Sequence, residues 1–347
     1  MNPDLIPSRP AAWQRMLSRS ASFGFDPFLL TLIALIFLAY LWPDIGKEGG
    51  LLPLGQVTTY GVAFIFFFYG LRLSPEKLKS GLREWRLHLV VQSTTFLLFP
   101  LLVWLAWSIW GSPEQQTLWL GTFYLAALPS TVSSSVVMVS IAGGNLPAAI
   151  FNASISSLLG VFLTPLWMGL LLESQYGNFD FWSVLGKLTV QVLLPAMLGL
   201  ALHGRLGGLA ERYRKQLKYF DQTIILLIVY AAFCDSFARH LFRGLSAGDL
   251  VLLAVLMSVF FFLVFGMVLL LGRALGFSRE NKITALFCGS KKSMVQGTVM
   301  SKVLFPDANT VGLVLLPLML YHALQLIYAS MLAQAMARRQ VKANPKE

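Results

Sequence analysis

Residues 283–305, ITALFCGSKKSMVQGTVMSKVLF, form an apolar run that is interrupted by two adjacent lysines, Lys291 and Lys292. A lysine at the centre of a transmembrane helix costs about 2.5–3.5 kcal/mol on insertion scales. Each ammonium must therefore face protein or water and find a partner. One interpretation is a surface loop with the lysines among lipid headgroups. The long apolar flanks favour the other, a broken helix that lines a polar cavity at mid-depth.

The composition is that of an integral membrane protein. Of 347 residues, 56% are hydrophobic and 12% are charged, and the mean hydropathy is +0.68. A soluble domain carries about 25% charged residues. The two cysteines, Cys234 and Cys288, lie in apolar segments without metal-ligand spacing, which indicates core positions. We therefore expect an all-α membrane fold.

Apolar segments of spanning length recur along the chain. A membrane-spanning helix needs about 20 mostly apolar residues, and ten such regions are predicted. We expect a cytoplasmic N-terminal segment, residues 1–26, without a signal-peptide pattern, and a cytoplasmic tail, residues 337–347. The predicted regions are residues 27–42, 57–71, 87–110, 117–142, 147–172, 182–202, 220–237, 250–275, 282–304 and 311–336.

The basic residues fit this count of spans. Most Lys and Arg residues fall in the N-terminal segment, the tail and three predicted loops between spans, residues 72–86, 205–218 and 273–282, which would share one side of the membrane. The positive-inside rule then places both termini in the cytoplasm, as in a plasma membrane or bacterial inner membrane. The net charge of +11 is explained by topology and contact with anionic lipid, so no nucleic-acid partner is expected. The opposite side holds Lys47, Lys187, Arg239, Arg243 and Lys302.

Two interruptions occupy the same position in each half of the chain. Residues 127–135, ALPSTVSSS, interrupt the fourth region, and residues 288–296, CGSKKSMVQ, interrupt the ninth. A short apolar helix, a turn with proline and a long span follow each one. This order predicts two inverted five-helix repeats, residues 27–172 and 182–336, whose two discontinuous helices cross.

The predicted crossing is rich in groups that could hold an ion or a substrate. Each break leaves free carbonyls at one helix end and free N–H groups at the next. Packing of small residues between helices is the alternative explanation for the serines. The candidate binding residues are Ser130, Thr131, Ser133, Ser134 and Ser135 of the first break, Asn152 and Ser156 of the next helix, and Ser290, Lys291, Lys292, Ser293 and Gln296 of the second.

Three roles are open for the lysines. An ammonium could replace a bound cation at a helix C-terminus, bind the carboxylate or phosphate of a small anionic substrate, or carry a proton. Because the predicted spans contain few acids, carbonyls and hydroxyls are the expected partners of Lys291 and Lys292. No cofactor is expected unless Na⁺ binds.

Three segments resemble one transporter family. They are FYGLRLSPEKLKSGLREWRLHLVVQ (68–92), LPSTVSSSVVMVSIAGGNLPAAIFNASISSLLGVFLTP (128–165) and FCGSKKSMVQGTVMSKVLFP (287–306). Together they resemble the bile acid:sodium symporter superfamily, in particular its SBF-like branch. The resemblance implies a panel domain of spans 1, 2, 6 and 7, a core domain of spans 3–5 and 8–10, and alternating access between them.

The resemblance also implies where sodium would bind. Ser134 and Ser135 match a Ser-Asn pair of the family's sodium site, with Ser in place of Asn, and Asn152 or Ala153 matches a hydroxyl-bearing position. The family's acid in the second break is absent, and Ser-Lys-Lys-Ser occupies the region. This departure weakens the expectation of sodium coupling and of bile acid as the substrate.

The leading hypothesis is a secondary active transporter of a small organic anion, coupled to Na⁺ or H⁺ or uncoupled. The alternative is a membrane regulator or scaffold that keeps the transporter fold without transporting. An enzyme is not expected, because His88, His203, His240 and His322 are scattered without metal spacing or a nucleophile–base pair. The sequence leaves the substrate and the oligomeric state open.

Overall fold

The described part of the chain is helical throughout its regular elements. The computed structural model describes residues 27–72, 84–176, 181–240, 246–305 and 308–343, so the N-terminal segment 1–26, residues 73–83 and the end of the tail lie outside it. The main helices are α1 (Pro27–Leu41), α2 (Leu54–Leu71), α3 (Trp85–Trp110), α4 (Gln116–Ala127), α5 (Ser133–Ala142), α6 (Leu146–Tyr176), α7 (residues 181–201), α8 (His203–Arg212), α9 (Arg214–Ala238), α10 (Ala247–Ala274), α11 (Arg279–Gly289), α12 (Met294–Leu304) and α13 (Ala308–Ala343).

Helices occupy the predicted apolar regions and both interruptions are present, whereas the number of ten spans stays a prediction. Among the described residues, six helices are long and apolar enough to cross a membrane, namely α2, α3, α6, α9, α10 and α13. The bent pair α7 and α8 raises this number to seven. The first break, residues 128–132, separates α4 from α5, and the second break, residues 290–293, separates α11 from α12.

Two helical segments extend beyond the predicted apolar spans. Residues 205–218 were expected to form a basic loop, but they form most of α8 and the first turn of α9. Their leucines recur at helical spacing, and that pattern favours an amphipathic helix. The last helix also continues past residue 336 to Ala343, because the Ala-, Arg- and Gln-rich sequence there is a good helix former outside the apolar layer.

Two helices contain a π turn that sequence reasoning did not find. Residues Thr94–Leu98 form one within α3, and Thr189–Leu193 form the other within α7. A proline follows each, Pro100 and Pro195. Because proline has no N–H, carbonyls one turn earlier lose their usual helical partner. In α3 this makes the carbonyls of Thr95 and Phe96 available to side chains.

Small residues bring helices into close contact. A Cβ atom on Gly199 of α7 would lie 2.0 Å from the carbonyl oxygen of Phe67 in α2, and one on Gly70 would lie 2.0 Å from that of Ala196. Close approach at small residues is typical of helix association in membranes. Helices α1, α2, α7 and α9 pack on one another, whereas α13 packs on α4, α5, α10 and α12 and also meets α9.

Candidate functional site

The two breaks are hydrogen-bonded to each other. The backbone N–H of Ser293 donates to the carbonyl of Pro129 over 2.8 Å. The hydroxyl of Ser130 donates to the carbonyl of Cys288 over 2.6 Å, and that of Ser135 donates to the carbonyl of Phe287 over 3.0 Å. Pro129 helps end α4, because the residue before a proline is disfavoured in the α conformation and Leu128 is extended. The two breaks are therefore in direct contact, whereas their crossing as part of two inverted repeats stays a prediction.

Lys292 places its ammonium among backbone carbonyls. Its Nζ donates to the carbonyl oxygens of Thr95, Ala126 and Leu128 over 2.7, 2.6 and 2.8 Å. An ammonium has three protons to donate, so all of them are used. The Nζ also lies 4.1 Å from the centre of the Phe99 ring, within cation–π range. Lys292 is completely buried, and its charge opposes the negative C-terminal end of α4.

These acceptors are free for local reasons. The Ala126 carbonyl would normally accept from the N–H of residue 130, but the Ser130 N–H donates to the Ser156 hydroxyl over 2.9 Å. The neighbouring Ala127 carbonyl accepts from the Thr164 hydroxyl over 2.8 Å. The Thr95 carbonyl is released by the π turn before Pro100. Carbonyls at the end of α4 and in α3 thus converge on one cation.

Lys291 has a different environment. Its Nζ donates to the Ser134 hydroxyl over 2.7 Å. Ser134 donates to Thr131 over 3.0 Å, and the hydroxyls of Thr131 and Ser135 are 2.7 Å apart. Lys291 is also completely buried. Among the residues that the structure describes, no carboxylate oxygen lies within 4.0 Å of its ammonium. This positive charge therefore has a hydroxyl partner and no ion pair there.

Helix α13 fixes the backbone of the second break. The Tyr321 hydroxyl donates to the Ser290 carbonyl over 2.7 Å. The Gln325 side chain accepts from the Lys292 N–H and donates to the Lys292 carbonyl, each over 2.8 Å. His322 Nδ1 lies 2.9 Å from Gln325 Nε2. Sequence reasoning missed these residues, although polar side chains at positions 322 and 325 within an apolar span were a usable signal.

A third polar group involves amide side chains. Gln92 Nε2 donates to the side-chain and backbone oxygens of Asn152, each over 3.2 Å, and Asn152 Nδ2 donates to the Ala148 carbonyl over 2.9 Å. Gln296 Nε2 donates to the Ser157 carbonyl over 3.3 Å. The Oε1 atoms of Gln92 and Gln296 are buried without a hydrogen-bond partner in the described structure. Gln92 was not among the predicted site residues.

The remaining predicted site residues have mainly backbone partners. The Ser290 hydroxyl donates to the Leu286 carbonyl over 2.6 Å, and the Ser293 hydroxyl accepts from the Gln296 N–H over 3.3 Å at the start of α12. The side chain of Ser133 lies outside the described residues. Of the sodium set predicted by resemblance, Ser134 and Ser135 belong to the hydroxyl group beside Lys291, whereas Asn152 is bonded to Gln92. Sodium binding at these residues stays a prediction.

A separate contact joins α12 to the helices around α2. Lys302, near the end of α12, donates from its ammonium to the Thr58 hydroxyl of α2. The carboxylate of Asp235 in α9 lies within electrostatic range of the same ammonium. Asp235 in turn accepts from the Glu48 N–H over 2.7 Å. This contact connects the helix after the second break to α2 and α9.

Comparison with known proteins identifies the family. The chain is 42% identical over 314 residues to an uncharacterized protein of Pseudomonas aeruginosa, covering 90% of this chain and 93% of that one. It is 38% identical over 317 residues to "Putative symporter YfeH" of Escherichia coli, with shares of 90% and 93%. It is 31% identical over 321 residues to "Sodium/bile acid cotransporter 7" of Mus musculus, with shares of 92% and 93%.

The relatives from Escherichia coli and Mus musculus are named as transport proteins and not as enzymes. Transport through a membrane also agrees with the apolar helices. The sequence model of the SBF-like CPA transporter family matches residues 26–338, which is nearly the whole described chain. The chain therefore belongs to the SBF-like CPA transporter family.

Proposed function

We propose that this protein is a secondary active transporter of a small organic anion that works by alternating access. In this proposal ten spans form two inverted repeats, residues 27–172 and 182–336, in a bacterial inner membrane with both termini cytoplasmic. Helices α1, α2, α7 and α9 form the panel, and the remaining spans form the core that carries the substrate. The mutual packing of α1, α2, α7 and α9 supports this division, and the two groups meet mainly where α9 packs against α13.

The observation that carries the proposal is the coordination of Lys292 by carbonyls from α3 and α4. A monovalent cation bound at the end of a broken helix would carry a single positive charge and be coordinated by carbonyl oxygens. The Lys292 ammonium has that charge and three such oxygens around it. Here the cation is covalently attached to the chain. We therefore propose that Lys292 is a permanent substitute for a metal ion at this position, and that the crossing needs no Na⁺ there.

Lys291 is the proposed contact for the substrate. Its charge is buried, it has one hydroxyl acceptor, and no acidic partner is present among the described residues. A carboxylate or phosphate would supply the missing negative charge and accept the remaining protons. The N-termini of α5 and α12, which follow the two breaks, add further positive potential for an anion.

Coupling to Na⁺ is a second candidate that a specific observation favours. The free Oε1 atoms of Gln92 and Gln296 are oxygen ligands of the kind that hard cations prefer, and they are distinct from the acceptors of Lys292. A relative that is 31% identical is named a sodium/bile acid cotransporter. We propose that any coupling Na⁺ would use these amide oxygens, with Asn152, Ser134 and Ser135 as further ligands.

Uptake into liposomes tests transport and the role of Lys291 together. Purified protein is reconstituted and presented with a panel of labelled carboxylates and phosphates, in NaCl or KCl and with or without a pH gradient. We expect uptake of at least one anion by the natural chain. Lys291→Ala should lower the apparent affinity about ten- to hundredfold, since a hydrogen bond to a charged group contributes about 1.5–3 kcal/mol.

A matched variant makes the result specific. Lys187 is exposed on α7, so Lys187→Ala removes the same chemical group away from the breaks and should transport normally. Equal uptake by both variants would refute the assignment of Lys291. Absence of uptake for every anion, under every gradient, would refute the transport proposal and favour the alternative, a regulator or scaffold that does not transport. Dependence of uptake on NaCl would establish the sodium-coupled form.

A further inference from the structure

We infer that α8 lies flat in the headgroup layer of the membrane and binds anionic phospholipid. Helix α8 makes an angle of 97° with the preceding part of α7, Thr189–Ala201. Since α7 is proposed to cross the bilayer, a helix at nearly a right angle to it runs along the membrane surface. The inference rests on the proposed membrane topology and does not depend on the identity of the transported substrate.

One face of α8 is apolar and uncovered. Leu206 and Leu209 of α8, and Tyr213 directly after its last residue, recur at spacings of three and four residues, which places them on one side. Their exposed fractions are 37%, 53% and 44%. The inner side is occupied, because Ala210 is buried and His203 Nδ1 lies 2.7 Å from the Leu71 carbonyl at the end of α2. The helix is thus fixed by one edge while its leucines face outward.

Basic side chains border this apolar face. Arg205 and Arg212 are exposed and lie along one edge of it by helical spacing. The exposed Arg214, Lys215 and Lys218 follow in the first turns of α9. Glu211, on the far side from the leucines, accepts from Arg214 over 3.3 Å and offsets one charge. An apolar stripe bordered by Arg and Lys is the pattern of a helix that binds an anionic lipid surface.

The position of α8 gives this binding a structural consequence. It joins α7 to α9, and its contact at Leu71 adjoins Arg72, which donates to Asp221 of α9 over 2.8 Å. Anionic lipid on α8 would therefore stabilise the ends of α2, α7 and α9 together. These helices belong to the proposed panel domain. Bound lipid would therefore stabilise the panel, the domain against which the core moves.

A pair of charge variants tests the lipid contact in the full-length protein. The thermal midpoint of purified protein in detergent is measured with added phosphatidylglycerol, phosphatidylcholine or inorganic phosphate. We expect phosphatidylglycerol alone to raise the midpoint, and the double variant Arg205→Gln/Arg212→Gln to lose at least half of that rise. The control Arg338→Gln/Arg339→Gln removes two exposed charges at the end of α13 and should keep the full rise.

Three results would overturn the inference. These are equal rises in both double variants, an equal rise with phosphatidylcholine, and reproduction of the rise by inorganic phosphate, which would indicate a site for free anions. Failure of the transport proposal would appear in the liposome assay and leave these midpoints unchanged, so the two failures are distinguishable.

A depth measurement provides an independent check. A fluorophore is attached to Leu209→Cys on the apolar face or to Glu211→Cys on the opposite side, with the protein in liposomes that contain lipids brominated on their acyl chains. We expect strong quenching at position 209 and weak quenching at position 211. Equal quenching at both positions would show that α8 does not lie with its leucines in the bilayer.

Discussion

Replacement of Lys292 by alanine should destabilise the protein and create a need for Na⁺. The substitution leaves the carbonyls of Thr95, Ala126 and Leu128 buried without their shared donor. Each unsatisfied buried group costs about 1–3 kcal/mol. The truncated side chain also leaves a cavity next to Phe99. The ammonium, however, was itself costly to bury, so the sum of these costs overstates the net loss.

The net change in stability of Lys292→Ala depends on the buried groups that lose their partner. Three unsatisfied carbonyls at about 1–3 kcal/mol each, reduced by the desolvation cost that the ammonium no longer imposes, leave a net loss of about 3–5 kcal/mol. This is a large part of a typical stability of about 5–15 kcal/mol. Unlike the natural chain, the alanine variant has a space lined by three carbonyls at the negative end of α4. A monovalent cation can enter that space and recover about 2.7 kcal/mol at a hundredfold excess over its Kd.

The assay is the thermal midpoint in NaCl compared with KCl at equal ionic strength. Lys292→Ala should melt earlier than the natural protein in KCl and recover part of the difference in NaCl. Lys292→Met is the matched control, since its longer chain occupies the space without donating, and it should melt early in both salts. The reasoning is refuted if the alanine variant melts with the natural protein, or if NaCl stabilises the alanine and methionine variants equally.

Three further substitutions test other contacts. Gln325→Leu removes both hydrogen bonds to the backbone of Lys292 and should cost about 2–4 kcal/mol in denaturant unfolding; no loss would show that α13 does not fix the second break. Lys302→Met removes the contact of α12 with Thr58. It should shift the equilibrium between the conformations of the transport cycle, and so change the uptake rate about fivefold without changing the apparent affinity. A change in apparent affinity alone would contradict this. Gly199→Ala places a Cβ 2.0 Å from the Phe67 carbonyl and should lower the stability by about 1–3 kcal/mol. In the control Gly186→Ala, on the same helix, the Cβ meets nothing within 4 Å, so the change should be neutral or stabilising. Equal thermal midpoints of the two variants would refute the packing argument.

The helices and the breaks were predictable because strong local signals specify them. Long apolar segments mark the spans, and Pro129 and the adjacent Lys291 and Lys292 mark the interruptions. The backbone polar groups freed at each interruption need partners, so a meeting of the two breaks was a physical expectation as well as a pattern. The partners of the lysines, carbonyls and hydroxyls, followed from the scarcity of acids in the spans.

The contacts that fix the site depend on geometry that one segment does not encode. The Thr95 carbonyl becomes an acceptor only because α3 contains a π turn before Pro100, and Gln325 reaches Lys292 only because α13 packs beside the second break. Similarly, the basic residues of α8 predict a loop between spans, whereas the segment is helical. Its leucine spacing pointed to a helix, but the 97° turn that places it is a tertiary property.

Lys291 and Lys292 are chemically identical neighbours, yet the chain around them assigns them different tasks. Both follow the end of α11 in non-helical backbone, where successive side chains diverge. The Lys292 ammonium reaches carbonyls in α3 and at the end of α4, and the Lys291 ammonium reaches the Ser134 hydroxyl in the first turn of α5. All three ammonium protons of Lys292 are donated, and Gln325 binds both its backbone N–H and its backbone carbonyl. Lys292 therefore cannot move toward a substrate without breaking the contacts between the two breaks. Lys291 keeps its charge with a single hydroxyl acceptor among the described residues. An anion beside Lys291 would be attracted by both positive charges and would displace only the Ser134 hydroxyl. We therefore assign the stability of the crossing to Lys292 and the recognition of the anion to Lys291.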